Sequence, residues 1–416
     1  MGLAIVLRRP RLLSAPRFWE EEGWSYLSFA WQHGFWETST RVFAGYIDLS
    51  ASIPSALAVR LAPLEHAPLV TTLCAALFQW APYGVVVFSR APFWSAPGKR
   101  FLGLLLVLTA PVTSEIWLNT TTSKFHLSLA AALLLLETPG AMTRLGGILQ
   151  GLLLAFVGLS SPVALFLAPL FAWKAWRSRH PLDLANLAVL GAVGSFQAFC
   201  LIGSGSDPAA SRGGTADPLQ LFPALANKCV LTPLLGSRAT ALLADRCTGF
   251  LPLAQYPLAA VSLNLLAMVV FVSLSLLLRR APLDRRVQLG GSAALLAIFS
   301  YFAAASVSVV DDRMLFPLWN ARYYFAPTCL LLLLLLESAW STDPLTATRR
   351  QIARVLLALV LVQGAWGFKS FNWMNTDWPA WSDEVAAWRK APERPLRVWP
   401  PEKTVRLDPA ERNHGW

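Results

Sequence analysis

Ten runs of apolar residues, each closed by a polar break, constrain this chain more than any other feature. They fall at about 68–89, 101–117, 126–137, 145–160, 163–177, 184–203, 252–278, 287–305, 323–340 and 355–368. A stretch of about 20 apolar residues crosses a bilayer as one helix, because a helix satisfies its own backbone N–H and C=O groups in hydrocarbon. The expected fold is all-α: a polytopic transmembrane helical protein. Composition agrees, with 55% of residues hydrophobic and 14% charged, against about 25% charged in a soluble domain. The net charge of +11 raises nucleic acid as a partner. The basic residues, however, recur in small groups between apolar runs rather than in one tract, so membrane lipids are the expected surroundings and nucleic acid is not.

Alternate connections collect the positive charge. One side receives Arg90, Lys99 and Arg100, then Arg144, then Lys174, Arg177 and Arg179, then Arg279, Arg280, Arg285 and Arg286, then Arg349, Arg350 and Arg354. The opposite short loops are poorer in Lys and Arg, which makes the first side cytoplasmic. An even number of spans leaves both termini outside. Residues 1–7, "MGLAIVL", read as the last turns of a helix whose start is missing, so a further span is expected ahead of them. A cleavable signal peptide fits badly, since the charges of "LRRPR" follow the apolar residues instead of preceding them.

Residues 1–368 form the expected membrane domain, with 8–67 as a first outside segment and 369–416 as an outside tail packed against it. In "IPSALAVRLAPL" the spacing puts Ile53, Leu57, Leu61 and Leu64 on one helical stripe, with Ser55 and Arg60 away from it. This is the pattern of a juxtamembrane helix lying on the bilayer. The runs 126–137, 145–160 and 163–177 are short, the last two split only by "SSP". Short or broken helices at membrane depth are tolerated where they line a cavity, so an outward-facing cavity is expected. A second outside segment, about 204–250, begins with text rich in Gly, Ser, Asp and Pro. Cys229 and Cys247 share that segment, and spacing leaves open whether they are bridged.

Soluble-enzyme signatures are missing: there is no Walker loop, dinucleotide fingerprint, HExxH or CxxC. Charged residues at the outside ends of spans remain: Glu20, Glu21, Glu22, Asp48, Glu115, Lys124, His126, Asp311, Asp312, Arg313 and Arg322. Ionisable groups near membrane depth are a functional-site hypothesis by default. In "FWEEEGW" the three glutamates are either a solvated loop tip or a reactive group held at the interface by Trp19 and Trp24. In "NTTTSKFHLSL", Asn119, Lys124 and His126 are either an ordinary helix entry or a surface for an oxyanion or sugar. In "NARYYFAP", Arg322 beside Tyr323 is either a headgroup anchor or a phosphate ligand. Asp311, Asp312 and Arg313 pair with one another or join such a site.

The segments "PRFWEEEGWSYLSFAWQHGFW", "AGYIDL", "LNTTTSKFHLSLAAALLLLE", "GLSSPVALFLAPL" and "ARYYFAPTCLLLLL" together resemble bacterial membrane proteins of the C-type glycosyltransferase (GT-C) superfamily, over about 16–340. The resemblance implies an inverting enzyme of the bacterial inner membrane, with its active side periplasmic and a polyprenyl-phosphate sugar as donor. The acceptor would be a cell-envelope glycan or lipid. It places the catalytic carboxylates on Glu21 and Glu22 and the arginine on Arg322, and it leaves Glu20 a bystander. Glu22 stands in place of the family's aspartate, Glu20 in place of a small residue, and Ser52 where an arginine is expected. Whether a divalent metal takes part is left open. The competing readings are a transporter or flippase of a lipid-linked sugar, or a non-catalytic partner in an envelope-assembly system.

Overall fold

A computed structural model of the chain describes residues 2–110, 114–204, 217–248, 255–307, 314–341, 347–370, 380–400 and 402–413. Its main helices, in order, are α1 (Leu49–Leu61), α2 (Leu64–Phe88), α3 (Pro97–Thr109), α4 (Thr120–Leu134), α5 (Arg144–Ser160), α6 (Ala168–Ser178), α7 (Pro181–Gly203), α8 (Pro257–Leu278), α9 (Leu283–Ser306), α10 (Ala321–Trp340), α11 (Ala347–Phe368) and α12 (Trp381–Lys390). Six of them, α2 and α7 to α11, are long and apolar enough to cross a membrane. The chain is an all-α, multi-pass membrane protein. Four expected runs become the shorter helices α3 to α6.

The bundle is layered around α10. That helix is 78% buried over its apolar window, whereas α8 is 11% buried and presents Leu258, Val261 and Val269 outward. The main core joins Trp94, Trp117, Leu129, Leu330 and Leu333. α11 approaches the end of α3 so closely that a Cβ on Gly364 would lie 2.1 Å from the Thr109 carbonyl oxygen. A side chain there would force the two helices apart.

Helix α1 turns Ile53, Leu57 and Leu61 outward, as the stripe predicts, but buries Ser52, Ser55, Ala58 and Val59. Its small inner face is what lets it sit against the bundle. Leu64 departs from the stripe: it belongs to the next turn and points inward.

The tail is more than a covering. Trp381, Val385 and Trp388 of α12 share a second core with Phe18, Leu27, Trp31, Val59 and Leu64. Strands β3 (Leu396–Arg397) and β4 (Thr404–Val405), paired antiparallel, add Leu396 and Val405. Two indoles fasten the join, Trp31 donating to the Asp408 carbonyl at 2.7 Å and Trp381 to that of Leu64 at 2.7 Å, while Trp388 ties α12 to the Leu407 carbonyl within the tail at 3.2 Å. The segment ahead of α2 and the tail therefore share one packed layer. Cys229 and Cys247 pack on one cluster as free thiols.

Candidate functional site

A cavity of ≈ 750 Å³ opens where several membrane helices end. It is lined by Glu20, Glu21, Glu115, Lys124 and Arg322, by Tyr26, Tyr46 and Tyr323, and by the Ser161–Val163 break. These come from the acidic segment, the approach to α4, the α5–α6 junction and the start of α10. An up-and-down path puts all of these ends on one side of the membrane.

The break forms because Pro162 follows Ser161. Ser161 is extended, with φ −167°, and its hydroxyl accepts from the Val163 N–H at 3.2 Å, starting a tight helical turn over Pro162–Leu167. Helix α5 thus stops inside the protein, and its irregular backbone faces the cavity, the setting in which such backbone is tolerated.

Lys124 enters the cavity from the first turns of α4. Its Nζ donates to Tyr46 Oη at 2.8 Å and to Asp48 Oδ2 at 3.0 Å, and the Asp48 carboxylate also accepts from Ser50 Oγ at 2.6 Å. Asp48 itself is 1% exposed. Tyr46 is delivered by the hairpin of β1 (Val42–Phe43) and β2 (Tyr46–Ile47), whose turn has Ala44 at φ +53° and Gly45 at φ +86°. Two central residues with positive φ match the twist of a tight hairpin. Gln197 of α7 holds this hairpin. Its side chain accepts from the Ile47 N–H at 3.0 Å and donates to the Ile47 carbonyl at 3.0 Å and to that of Gly158 at 2.9 Å.

Arg322 sits in the first turn of α10, after Asn320 in left-handed backbone at φ +54°. Its Nη1 lies 3.0 Å from Glu115 Oε2, and its guanidinium carbon is 5.5 Å from the centre of the Tyr323 ring. The two cavity cations are thus each matched to a carboxylate. Glu20 and Glu21 remain on the same wall, with Lys403 of the tail 3.9 Å from Glu20. Burial and the neighbouring Glu21 hold the Glu20 carboxyl above its ordinary range, against the pull of Arg322 and Lys403.

Glu22, expected beside Glu21 in the chemistry, is turned away from the cavity. It is 2% exposed; Oε1 accepts from the Thr120 N–H at 2.6 Å and from the Thr120 hydroxyl, and Oε2 accepts from the Trp19 N–H at 3.0 Å. Burial pushes its carboxyl up to about 7 in spite of these bonds. Its place is that of a clasp between the acidic segment and the start of α4. Glu20, read as a bystander, takes a position on the cavity wall instead.

The remaining candidates separate. Asn119 is buried and caps α4, accepting from the Thr121 N–H at 2.9 Å. His126 is fully buried between Trp117 and Phe325, with ring centres 4.9 and 4.5 Å away, and it does not reach the cavity. Tyr323 lines the cavity and packs edge-on against Phe125 at 5.1 Å. Arg313, Asp311 and Asp312 lie outside the described residues. Tyr46 and Glu115 were not singled out as ligands; Tyr46 lies in the "AGYIDL" segment, but spacing alone did not bring it to Lys124. Among the described residues, no group of three His, Cys, Asp or Glu side chains is arranged to hold a metal ion.

Comparison with protein-family models, curated proteins and solved structures finds no match.

Proposed function

We propose that this protein is an integral-membrane glycosyltransferase of the C type, moving a sugar from a polyprenyl-phosphate donor to an envelope glycan or lipid on the periplasmic side of a bacterial inner membrane. One observation carries the reading: Glu20, Glu21, Lys124 and Arg322 converge on a single cavity at the ends of membrane helices. An acceptor hydroxyl attacks the anomeric carbon from the face opposite the phosphate. Glu21 takes its proton as the new C–O bond forms. The old bond breaks toward the phosphate oxygen, and polyprenyl phosphate leaves with the electron pair. Arg322 and Lys124 meet the charge that collects on that oxygen, as preorganised cations do in such steps. Help from a positioned base is typically worth about 10²–10⁴-fold. Because each cation already has a carboxylate partner, the arriving phosphate competes with Glu115 and Asp48 for them.

The test is sugar transfer by purified protein given a radiolabelled polyprenyl-phosphate sugar. Glu21→Gln abolishes transfer and Arg322→Ala weakens donor binding. Full transfer by Glu21→Gln removes the base from the mechanism. Movement of a lipid-linked sugar across liposomes with no new glycosidic bond makes the protein a flippase instead.

A further inference from the structure

At the opposite membrane face, Arg350 and Arg354 stand four residues apart on α11 at the rim of a groove of ≈ 440 Å³. Leu102 of α3, Leu336 of α10, and Leu357 and Leu361 of α11 give the groove a hydrocarbon wall. Both guanidiniums hang on the end of α10. Arg350 Nη1 donates to the Ser341 carbonyl at 3.0 Å, and Arg354 Nε to that of Ala339 at 3.2 Å. These bonds fix the cations at the rim without neutralising them.

Three other basic residues of this face are engaged by carboxylates: Lys99 by Glu337, Lys174 by Asp183 and Arg177 by Asp284. Among the described residues, Arg350 and Arg354 form no such pair. A neighbouring pocket of ≈ 320 Å³, lined by the Lys99–Glu337 pair and by Arg280 and Arg349, shares Trp340 and Ser341 with the groove, and its two arginines add positive charge beside it.

We propose that this groove binds an anionic phospholipid, with its phosphate on Arg350 and Arg354 and one acyl chain along the leucine wall. The occupant follows from two features together. The wall is shared by α3, α10 and α11, and α11 is 22% buried over its apolar window, so hydrocarbon lies against that helix. The rim carries two planar forks that match phosphate oxygens. Basic pockets between transmembrane helices select anionic headgroups in this way. A zwitterionic lipid would bring its own cation to the arginines, and a free anion would leave the apolar wall uncovered.

Native mass spectrometry of the purified full chain, with equal amounts of phosphatidylglycerol and phosphatidylcholine added, tests this. Wild type retains phosphatidylglycerol preferentially. Arg350→Gln with Arg354→Gln lowers that retention by roughly thirty-fold, the scale of two basic residues acting near an anionic surface. Ala358→Trp, which fills the groove from an exposed position, lowers retention with the charge unchanged. Arg354→Gln alone, also at an exposed position, gives a smaller drop and stands in should the double variant not fold. Equal retention of the two lipids by wild type, or undiminished retention by the arginine variants, overturns the proposal. So does displacement of the lipid by inorganic phosphate at constant ionic strength together with an unaffected Ala358→Trp, which would make the site one for a free anion.

Discussion

Gly23 and Val398 meet with no room for a side chain between them: a Cβ on Gly23 would lie 2.3 Å from Val398 Cγ1 and 3.0 Å from its Cβ. The contact places the tail directly against the segment that carries Glu20 and Glu21. Beside it, the Trp399 N–H donates to the Phe18 carbonyl at 2.9 Å, the Glu20 N–H to the Trp399 carbonyl at 2.5 Å, and the Trp19 and Trp399 rings stack at 5.2 Å.

Gly23→Ala is therefore expected to lift the tail from the acidic segment. Overpacking of this kind typically costs about 1–3 kcal/mol. The readout is faster limited proteolysis after residue 390 and reduced sugar transfer. Adding Val398→Ala restores both, because it removes the atom in the way; a double variant no better than Gly23→Ala would show that the contact is not the cause.

The neighbouring glutamates should respond differently to amide substitution. Glu21→Gln leaves folding intact and removes transfer. Glu22→Gln sets an NH₂ group against the Trp19 N–H or the Thr120 donors, and an unmade buried hydrogen bond costs about 1–3 kcal/mol. It lowers the melting temperature, while the folded fraction keeps its transfer rate. Equal losses of rate in the two variants would contradict this division of roles.

Stability should also depend on pH through Glu22. Unfolded, its carboxyl titrates near the ordinary value of 4.5; folded, burial raises it to about 7. Between those values the folded state keeps a proton that the unfolded state has released, so stability falls as pH rises from 4.5 to 7 and levels off above. The full difference is roughly 3 kcal/mol. Denaturation midpoints in detergent across that range measure it, and Glu22→Gln flattens the curve.

Lys124→Met strands the buried Asp48 charge. Breaking a buried pair from one side typically costs about 3–5 kcal/mol. Asp48→Asn in the same chain recovers most of the loss in thermal stability, but it does not restore donor binding. Recovery of binding would remove Lys124 from the phosphate site.

Much of the architecture was legible because it rests on local text. Apolar runs, "SSP" and the stripe of α1 announce themselves within a few residues. The site was legible only as a set of residues at one membrane face. Three successive glutamates carry no mark of which one turns inward, since that depends on a π-helical turn over Glu22–Leu27 and on Thr120, 98 positions away. His126 looked like part of a polar cluster, yet its position on α4 turns it between Trp117 and Phe325. Gln197 gave no signal at all: its partner is a hairpin 150 residues earlier.

The shared core of Trp31, Leu64, Trp381 and Trp388 also has a consequence in time. A chain emerges from its N-terminus first, so Glu20 and Glu21 reach the membrane surface long before Val398 and Trp399 exist to hold them. The acidic wall of the cavity is consequently finished last. Until then the nascent protein has its membrane helices but an acidic segment that the tail does not yet hold.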